Sequence, residues 1–238
     1  MHKPNLSIVI PTYNERENIS KILEKLRKSL RSIKYEVVFV DDNSPDGSGE
    51  EVRKLSLKYK NVKLIQHGKK VGIGAALLFG CKKSLGKIII FLDADLSTSP
   101  KYILQMINII EKKKYDMVVG SRYMKQSRQI NKEFFKKLSS KYFNIVAKFI
   151  LRLGINDITH SCRVFRREII TRLDTILIEK GHPSFVIELT YLTNKYNYKI
   201  TEYPITFIER GEGRGVSKLS LKKEFISSIK TIYRMLNF

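Results

Sequence analysis

The chain has 238 residues, 42% of them hydrophobic, with 13 Gly and 6 Pro, which is enough for one large domain with a real core and excludes a disordered chain. Its 45 Lys and Arg against 23 Asp and Glu leave a net charge of +22, which asks for an anionic neighbour: nucleic acid, anionic lipid or a phosphorylated substrate. No apolar run is long enough to span a bilayer, MHKPNLSIVIP lacks a signal-peptide core, the 4 histidines have no metal-ligand spacing, and Cys81 and Cys162 make no disulfide framework.

Leu6–Ile10 reads as a short apolar strand stopped by Pro11. Asn14 is placed to cap a helix from Glu15 that carries Ile19, Ile22, Leu23, Leu26 and Leu30 on one face. Tyr35–Val40 is a second buried strand, ending in Asp41-Asp42; the turn NSPDGS follows, then a helix to about Tyr59. Val62–Ile65 is a third strand, and Gly72 and Gly74 open a helix through Ala75, Leu78 and Cys81. The run IIIFL at 88–92 is a fourth, fully buried strand that ends in Asp93-Ala94-Asp95. Residues two apart on an extended chain point the same way, so Asp93 and Asp95 can reach one site. Their hard oxygens suit Mg²⁺ or Mn²⁺, and such a metal bridges protein to a diphosphate. A helix from Pro100 to about Lys113 and a fifth strand, Met117–Val119, lead to Gly120-Ser121-Arg122.

Strand–helix alternation over 120 residues predicts a doubly wound parallel sheet. Ligands bind such sheets beyond the carboxyl ends of the strands. Every polar cluster named above lies at such an end. No G-x-G-x-x-G follows the first strand and no G-x-x-x-x-G-K-[ST] is present, which argues against a dinucleotide enzyme and a P-loop NTPase.

Residues 131–153 break the alternation. Phe135, Leu138, Tyr142, Ile145, Phe149 and Leu153 recur at helical spacing, flanked by Lys137, Lys141, Lys148 and Arg152. Such a helix either lies in a membrane interface or packs on the sheet with a solvated lysine face. SLKKEFISSIKTIYRMLNF repeats the pattern with Leu221, Phe225, Ile229, Ile232 and Leu236, beside Lys222, Lys223, Lys230 and Arg234.

VIPTYNERENI, VVFVDDNSPDGS, FLDADLSTSP and VVGSRY resemble the motifs of inverting nucleotide-sugar glycosyltransferases of family 2. DITHSCRVFRRE is similar to the D-P-T-S-G-F-R-x-F-R-R segment of dolichol-phosphate mannosyltransferases and their polyprenol-phosphate relatives. HPSFVIEL is similar to G-Y-S-F-Q-x-E-L, and YPITFIERGEGRGVSKL to P-I-x-F-x-x-R…G-x-S-K. The resemblance covers about residues 6–220. It implies the GT-A fold: an α/β, doubly wound, mixed but mainly parallel sheet flanked by helices, plus amphipathic interface helices. It implies one glycosyltransferase domain over 1–238. About 1–122 would bind the nucleotide sugar, 123–218 would form the acceptor half, and 219–238 a C-terminal amphipathic helix.

For function, the resemblance implies a donor sugar nucleotide, mannose from GDP-mannose first, with UDP-glucose or UDP-GlcNAc and a glycan-hydroxyl acceptor as alternatives. Pro11, Tyr13, Glu15, Val40, Asp41 and Asp42 match the nucleoside positions, and Asp93, Ala94, Asp95 and Ser97 the diphosphate and metal positions. Asp93 and Asp95 would hold Mg²⁺ or Mn²⁺. Ser97 stands where many relatives have Gln, and its shorter side chain implies a contact through water. Arg122, Arg210 and Lys218 would add positive charge where it develops, so Asp95, Arg122 and Arg210 form the catalytic set. RGEGRGVSK has two more residues between Arg and Gly-x-Ser-Lys than the family segment, so either Arg210 or Arg214 serves the diphosphate. Arg122, Lys136, Ser140 and Arg163 align with contacts to a polyprenyl or dolichyl phosphate acceptor. A phosphate monoester arrives deprotonated, with a second pKa of about 6, and needs no protein base. Glu188 is the remaining candidate for one, against an ordinary helix residue paired with an Arg. The resemblance favours interface helices, and hence an anionic membrane surface as partner. Because the chain stops where some relatives continue into membrane-spanning helices, a peripheral protein on the cytoplasmic face is expected. Nucleic acid is not expected: the basic residues form no recognisable nucleic-acid motif, and D-x-D in a cleft would repel a phosphate backbone without metal.

Overall fold

The computed structural model describes residues 4–131, 133–173, 176, 182, 184–209 and 221–237, with residues 221–225 described by backbone alone. Nine strands and eight α-helices are found among the described residues: β1 (Leu6–Thr12), α1 (Arg16–Ser29), β2 (Tyr35–Asp41), α2 (Ser48–Lys58), β3 (Val62–Gln66), α3 (Ile73–Lys83), β4 (Ile88–Phe91), α4 (Ile103–Lys113), β5 (Met117–Ser121), β6 (Arg128–Ile130), α5 (Phe134–Ile150), β7 (Arg163–Arg166), α6 (Arg167–Leu173), α7 (Phe185–Lys195), β8 (Ile200–Pro204), β9 (Thr206–Ile208) and α8 (Leu221–Leu236). The main sheet runs β3-β2-β1-β4-β7-β5-β8, and β6 pairs with β9 in a separate ribbon. All main-sheet neighbours are parallel except β7, which is antiparallel to both β4 and β5. The sheet is therefore mixed and mainly parallel, and its apolar strands are buried on both faces, as helices on each side require.

Two expectations about the first unit need correction. β1 does not stop at Pro11; it continues to Thr12, with Pro11 opposite Val40 of β2. Pro11 is tolerated because its missing N–H would face β4, and the β1–β4 ladder ends at Val9. Asn14 does not cap α1. It sits at a positive φ of 55°, and the helix starts at Arg16 with Glu15 in the cap position. The orphan amides are met from the β2–α2 turn instead: Ser44 Oγ accepts from Asn14 N–H (3.0 Å), Ser48 Oγ from Glu15 N–H (2.9 Å) and Asp46 Oδ2 from Arg16 N–H (3.1 Å). Two strand-end loops are thus locked together beside the candidate site.

Helix α3 packs unusually close to the sheet. A Cβ at Gly80 would lie 2.2 Å from Val9 Cγ1 and 3.0 Å from Val40 Cγ2, so only glycine fits there. That approach brings the start of α3, Gly72-Ile73, over the carboxyl ends of β1 and β2.

Candidate active site

The parallel strands deliver their polar ends to one edge. At β2, Asp41 is fully buried and spends its carboxylate on the turn, accepting from Ser44 and from Gln66 Nε2 (3.1 Å). Asp42 accepts from two consecutive amides of the β3–α3 loop, Val71 N–H (2.6 Å) and Gly72 N–H (2.8 Å), with His67 Nδ1 at 3.6 Å. A carboxylate binding two amides fixes that loop beside the end of β1. The loop lays Lys70 over the Tyr13 ring, with Nζ 3.6 Å from the ring centre. Glu15 is buried and accepts from Asn18 Nδ2 (2.7 Å), while Val40 is wholly buried under this edge. Pro11 and Tyr13 are half-buried.

β4 ends at Phe91, and Leu92–Asp95 continue past the edge. Asp93 and Asp95 are half-exposed; Ala94 and Ser97 are buried. Ser161 Oγ donates to Asp93 Oδ2, and Asp95 Oδ1 accepts from Ser97 N–H (2.9 Å). Leu96, at φ 62°, makes the turn that brings the Ser97 amide back to Asp95. No cluster of three or more His, Cys, Asp or Glu side chains with metal-binding geometry occurs among the described residues. A pair of half-exposed carboxylates beyond the end of β4 still fits Mg²⁺ or Mn²⁺, because Mg²⁺ sites commonly use one or two carboxylates and complete their shell with waters and substrate phosphates.

Arg122, at the end of β5, is gripped by a residue that sequence reasoning did not single out. Its Nε and Nη2 donate to the two oxygens of Asp157, each at 2.8 Å, and its backbone N–H donates to the same carboxylate at 2.9 Å. Nη2 also donates to Thr159 Oγ1 at 2.8 Å. Burial pushes the Asp157 carboxyl up, but the Arg122 charge and its hydrogen bonds outweigh burial and hold it down at about 2. The same pairing raises the Arg122 pKa against burial. Arg122 is therefore a locally neutralised, oriented guanidinium rather than a loose cation, and Nη1 is its one nitrogen without a hydrogen bond among the described residues. Asp157 opens the DITHSCR motif, so the signal was present, but a lone loop Asp has no periodicity to name its partner 35 positions away.

The same loop holds His160 and Arg163. His160 is buried; its Nδ1 accepts from Cys162 N–H (2.9 Å), which leaves Nε2–H facing Thr98 Oγ1 at 3.2 Å. Burial and the Arg122 charge push its pKa down to about 3, so the ring is neutral. Arg163 is wholly buried under the site. It donates through Nε to Thr190 Oγ1 and through Nη2 to Ile158 O, and burial lowers its pKa to about 10. In this arrangement Arg163 braces the Asp157 loop from behind and has no exposed surface. Both cysteines are free and buried, and burial drives the Cys162 thiol up to about 12, so it is inert.

On α5, Lys136 pairs with Glu133 at 3.0 Å on a partly exposed surface, and the Ser140 hydroxyl shares a hydrogen bond with Tyr123 OH at 2.7 Å. The apolar stripe of α5 faces outward: Phe135 is 81% exposed, Tyr142 68% and Phe149 86%. Leu138 and Ile145 are exposed as well, and only Leu153, past the helix end, joins the core. The stripe expected on α8 divides. Ile232 is buried with Met235 in the core that α7 also lines, whereas Ile226, Ile229, Tyr233 and Leu236 are exposed. The Leu221 and Phe225 side chains lie outside the described residues, as do Arg210, Arg214 and Lys218. Glu188 is wholly buried with Arg234 Nη2 at 3.7 Å, so the paired helix residue, not a cleft-facing base, is what the structure contains.

A mixed, mainly parallel sheet whose carboxyl edge gathers a D-x-D pair, an aromatic with carboxylates and an oriented arginine defines the GT-A class of nucleotide-sugar transferases. The sequence profile described as "Glycosyl transferase family 2" matches residues 7–173, and the chain belongs to that family. It is 34% identical over 235 residues to the dolichol-phosphate mannosyltransferase of Pyrococcus furiosus, covering 98% of this chain; the chain spans 64% of that relative's length. It is 33% identical over 217 residues to the polyprenol monophosphomannose synthase of Mycolicibacterium smegmatis, covering 90% of this chain and 80% of the relative. Among solved structures, glucosyl-3-phosphoglycerate synthase from Mycobacterium tuberculosis, in complex with Mn²⁺, uridine diphosphate and phosphoglyceric acid, superposes with a TM-score of 0.73 at 14% identity over 98% of this chain and 78% of that one. S. aureus TarS in complex with UDP-GlcNAc gives 0.66 at 18% identity over 98% and 66%. At such identities the likeness is one of fold.

Proposed function

We propose that this protein transfers a sugar with inversion, mannose from GDP-mannose, onto a polyprenyl or dolichyl phosphate at a membrane surface. The observation that carries the reading is its identity of 33–34% to two relatives named for polyprenol-phosphate mannosyl chemistry. In this reading Tyr13 covers the base, with Pro11, Glu15, Val40 and the Asp41–Asp42 turn shaping the nucleoside pocket. Lys70 then leaves the Tyr13 face when the donor enters. Asp93 and Asp95, with Ala94 and Ser97 lining the turn, would hold Mg²⁺ or Mn²⁺, which when bound neutralises the diphosphate leaving group. Arg122, oriented by Asp157, offers Nη1 to an anion, and Arg210 or Arg214, with Lys218, completes the cationic wall. Lys136 and Ser140 receive the acceptor phosphate, while Arg163 supports from below.

The acceptor needs no protein base. A phosphate monoester has a second pKa of about 6 and attacks already ionised. The burial of Glu188 against Arg234 supports this. Among the described residues no helix is long and apolar enough to cross a membrane. Instead α5 offers bulky apolar side chains to solvent, with Lys137 and Lys141 exposed and Lys148 partly exposed on the helix. Apolar burial at about 25 cal/mol per Å², together with about 1 kcal/mol per lysine near an anionic surface, makes a reversible two-signal anchor. The complement to that chemistry is an anionic lipid surface, which is also where a polyprenyl phosphate resides.

The test is transfer from radiolabelled GDP-mannose, UDP-glucose and UDP-GlcNAc to a dolichyl-phosphate analogue. Mannosyl product from GDP-mannose alone is expected. Preference for a UDP-sugar would replace the donor assignment.

A further inference from the structure

Helix α5 turns most of its large apolar side chains outward and buries an asparagine beside Ala147. Only Asn144 and Ala147 are buried among its 17 residues, and Asn144 is 1% exposed. An asparagine inside a helix has weak helical propensity, so the buried amide needs another reason. Its hydrogen bonds supply one. Nδ2 donates to Ser140 O (2.9 Å) and Thr159 Oγ1 (3.1 Å), and Oδ1 accepts from Ile158 N–H (2.7 Å) and Thr159 N–H (3.3 Å). Thr159 Oγ1 is shared: it also accepts from Arg122 Nη2. A second tie runs from Ser140 Oγ to the hydroxyl of Tyr123, the neighbour of Arg122. The helix with the exposed apolar face is thus joined to the candidate reaction centre through a buried amide and a hydroxyl pair, with Lys148 Nζ donating to Asn156 Oδ1 (2.7 Å) at the surface end of the same loop.

We propose that Asn144 is a positioning residue that couples the seating of α5 in an anionic lipid surface to the placement of Arg122. This rests on the membrane reading given above. Insertion of the outer face fixes the helix, Asn144 holds the Ile158–Thr159 backbone to it, and Thr159 with Asp157 sets the guanidinium. The acceptor lipid and the Arg122 guanidinium then meet in register, and the site is completed only at the surface where its acceptor lies.

The experiment uses the full chain with a short-chain, water-soluble prenyl phosphate, with and without vesicles of 30% phosphatidylglycerol in phosphatidylcholine. Co-sedimentation, donor KM and kcat are read together. Vesicles should raise wild-type kcat at least about fivefold, the lower bound for coupled sites. Asn144→Ala should sediment like wild type and keep its donor KM within about twofold, yet show no stimulation. A merely structural asparagine would lower kcat by the same factor with and without vesicles, and stimulation retained in Asn144→Ala overturns the proposal. If that variant loses donor binding altogether, Tyr123→Phe decides, since it removes the second tie and leaves the Asn144 hydrogen bonds to Ile158 and Thr159 in place. Stimulation cut by half or more supports coupling, and unchanged stimulation overturns it. A wild type that sediments without stimulation refutes the coupling alone. A wild type that does not sediment, or that buries α5 in a concentration-dependent dimer, removes the membrane reading as well.

Discussion

Lowering the pH from 7 to 5 should destabilise the protein through one buried imidazole. His160 accepts a hydrogen bond at Nδ1 from Cys162 N–H, and its folded pKa lies at about 3 against an ordinary 6.5, burial being the largest cause and the Arg122 charge the next. A folded pKa below the unfolded one means that the unfolded chain binds the extra proton first. Stability is therefore intact above pH 6.5, falls as the pH drops through 6.5, and goes on falling until the folded ring itself protonates near pH 3. At pH 5 the unfolded imidazole is almost fully charged and the folded one hardly at all, a difference of about 2 kcal/mol; the full span is about 5 kcal/mol. Urea unfolding at the two pH values, on wild type and His160→Asn, isolates this contribution. Asparagine keeps an acceptor near Cys162 N–H and does not titrate, while every other group titrates alike in both proteins. Wild type should lose about 2 kcal/mol more than the variant between pH 7 and 5. Equal losses would show that the ring is not held neutral, and the account of the Asp157–Arg163 loop would be wrong.

Asp157→Asn leaves the Arg122 charge buried without its carboxylate and should cost about 3–5 kcal/mol in urea unfolding, with part recovered in the double variant that also carries Arg122→Met. Asp95→Ala should abolish most turnover and weaken Mn²⁺ binding in calorimetry while leaving the melting temperature near wild type, because the side chain is half-exposed. Phe135→Glu with Phe149→Glu should release the protein from anionic vesicles without lowering its stability, since both rings are exposed; co-sedimentation at the wild-type level would contradict the anchor. Tyr13→Ala should raise the donor KM about tenfold with the fold unchanged, as measured by initial rates.

The first 120 residues were legible because their strands are continuous apolar runs and their helices keep a 3.6-residue stripe. β7 was not, since RVFR is a four-residue run with an arginine at each end and no clear period, yet it inserts antiparallel between β4 and β5. The site's carboxylates were legible as strand-end residues, but what each one does locally was not. Asp41 closes its own turn, and Asp42 folds the loop that carries Lys70. Both uses depend on partners that only the fold brings near. The stripes of α5 and α8 looked alike in sequence; α5 turns its stripe outward, while α8 divides its own, with Ile232 inward and Ile229 outward. Periodicity finds an apolar face but not what that face meets. The resemblance likewise implied a cationic role for Arg122 but not its partner, and the structure pairs it with Asp157.

Parallel assays with polyprenyl phosphate and with the corresponding free polyprenol test the central claim most directly, using GDP-mannose with Mg²⁺ or Mn²⁺ across pH 5 to 8. The account predicts that the phosphate is mannosylated at a rate that rises with its second ionisation, half complete at about pH 6, and that the alcohol is left untouched. Glycosylation of the alcohol at a comparable rate, or full transfer to the phosphate in excess EDTA, would contradict it.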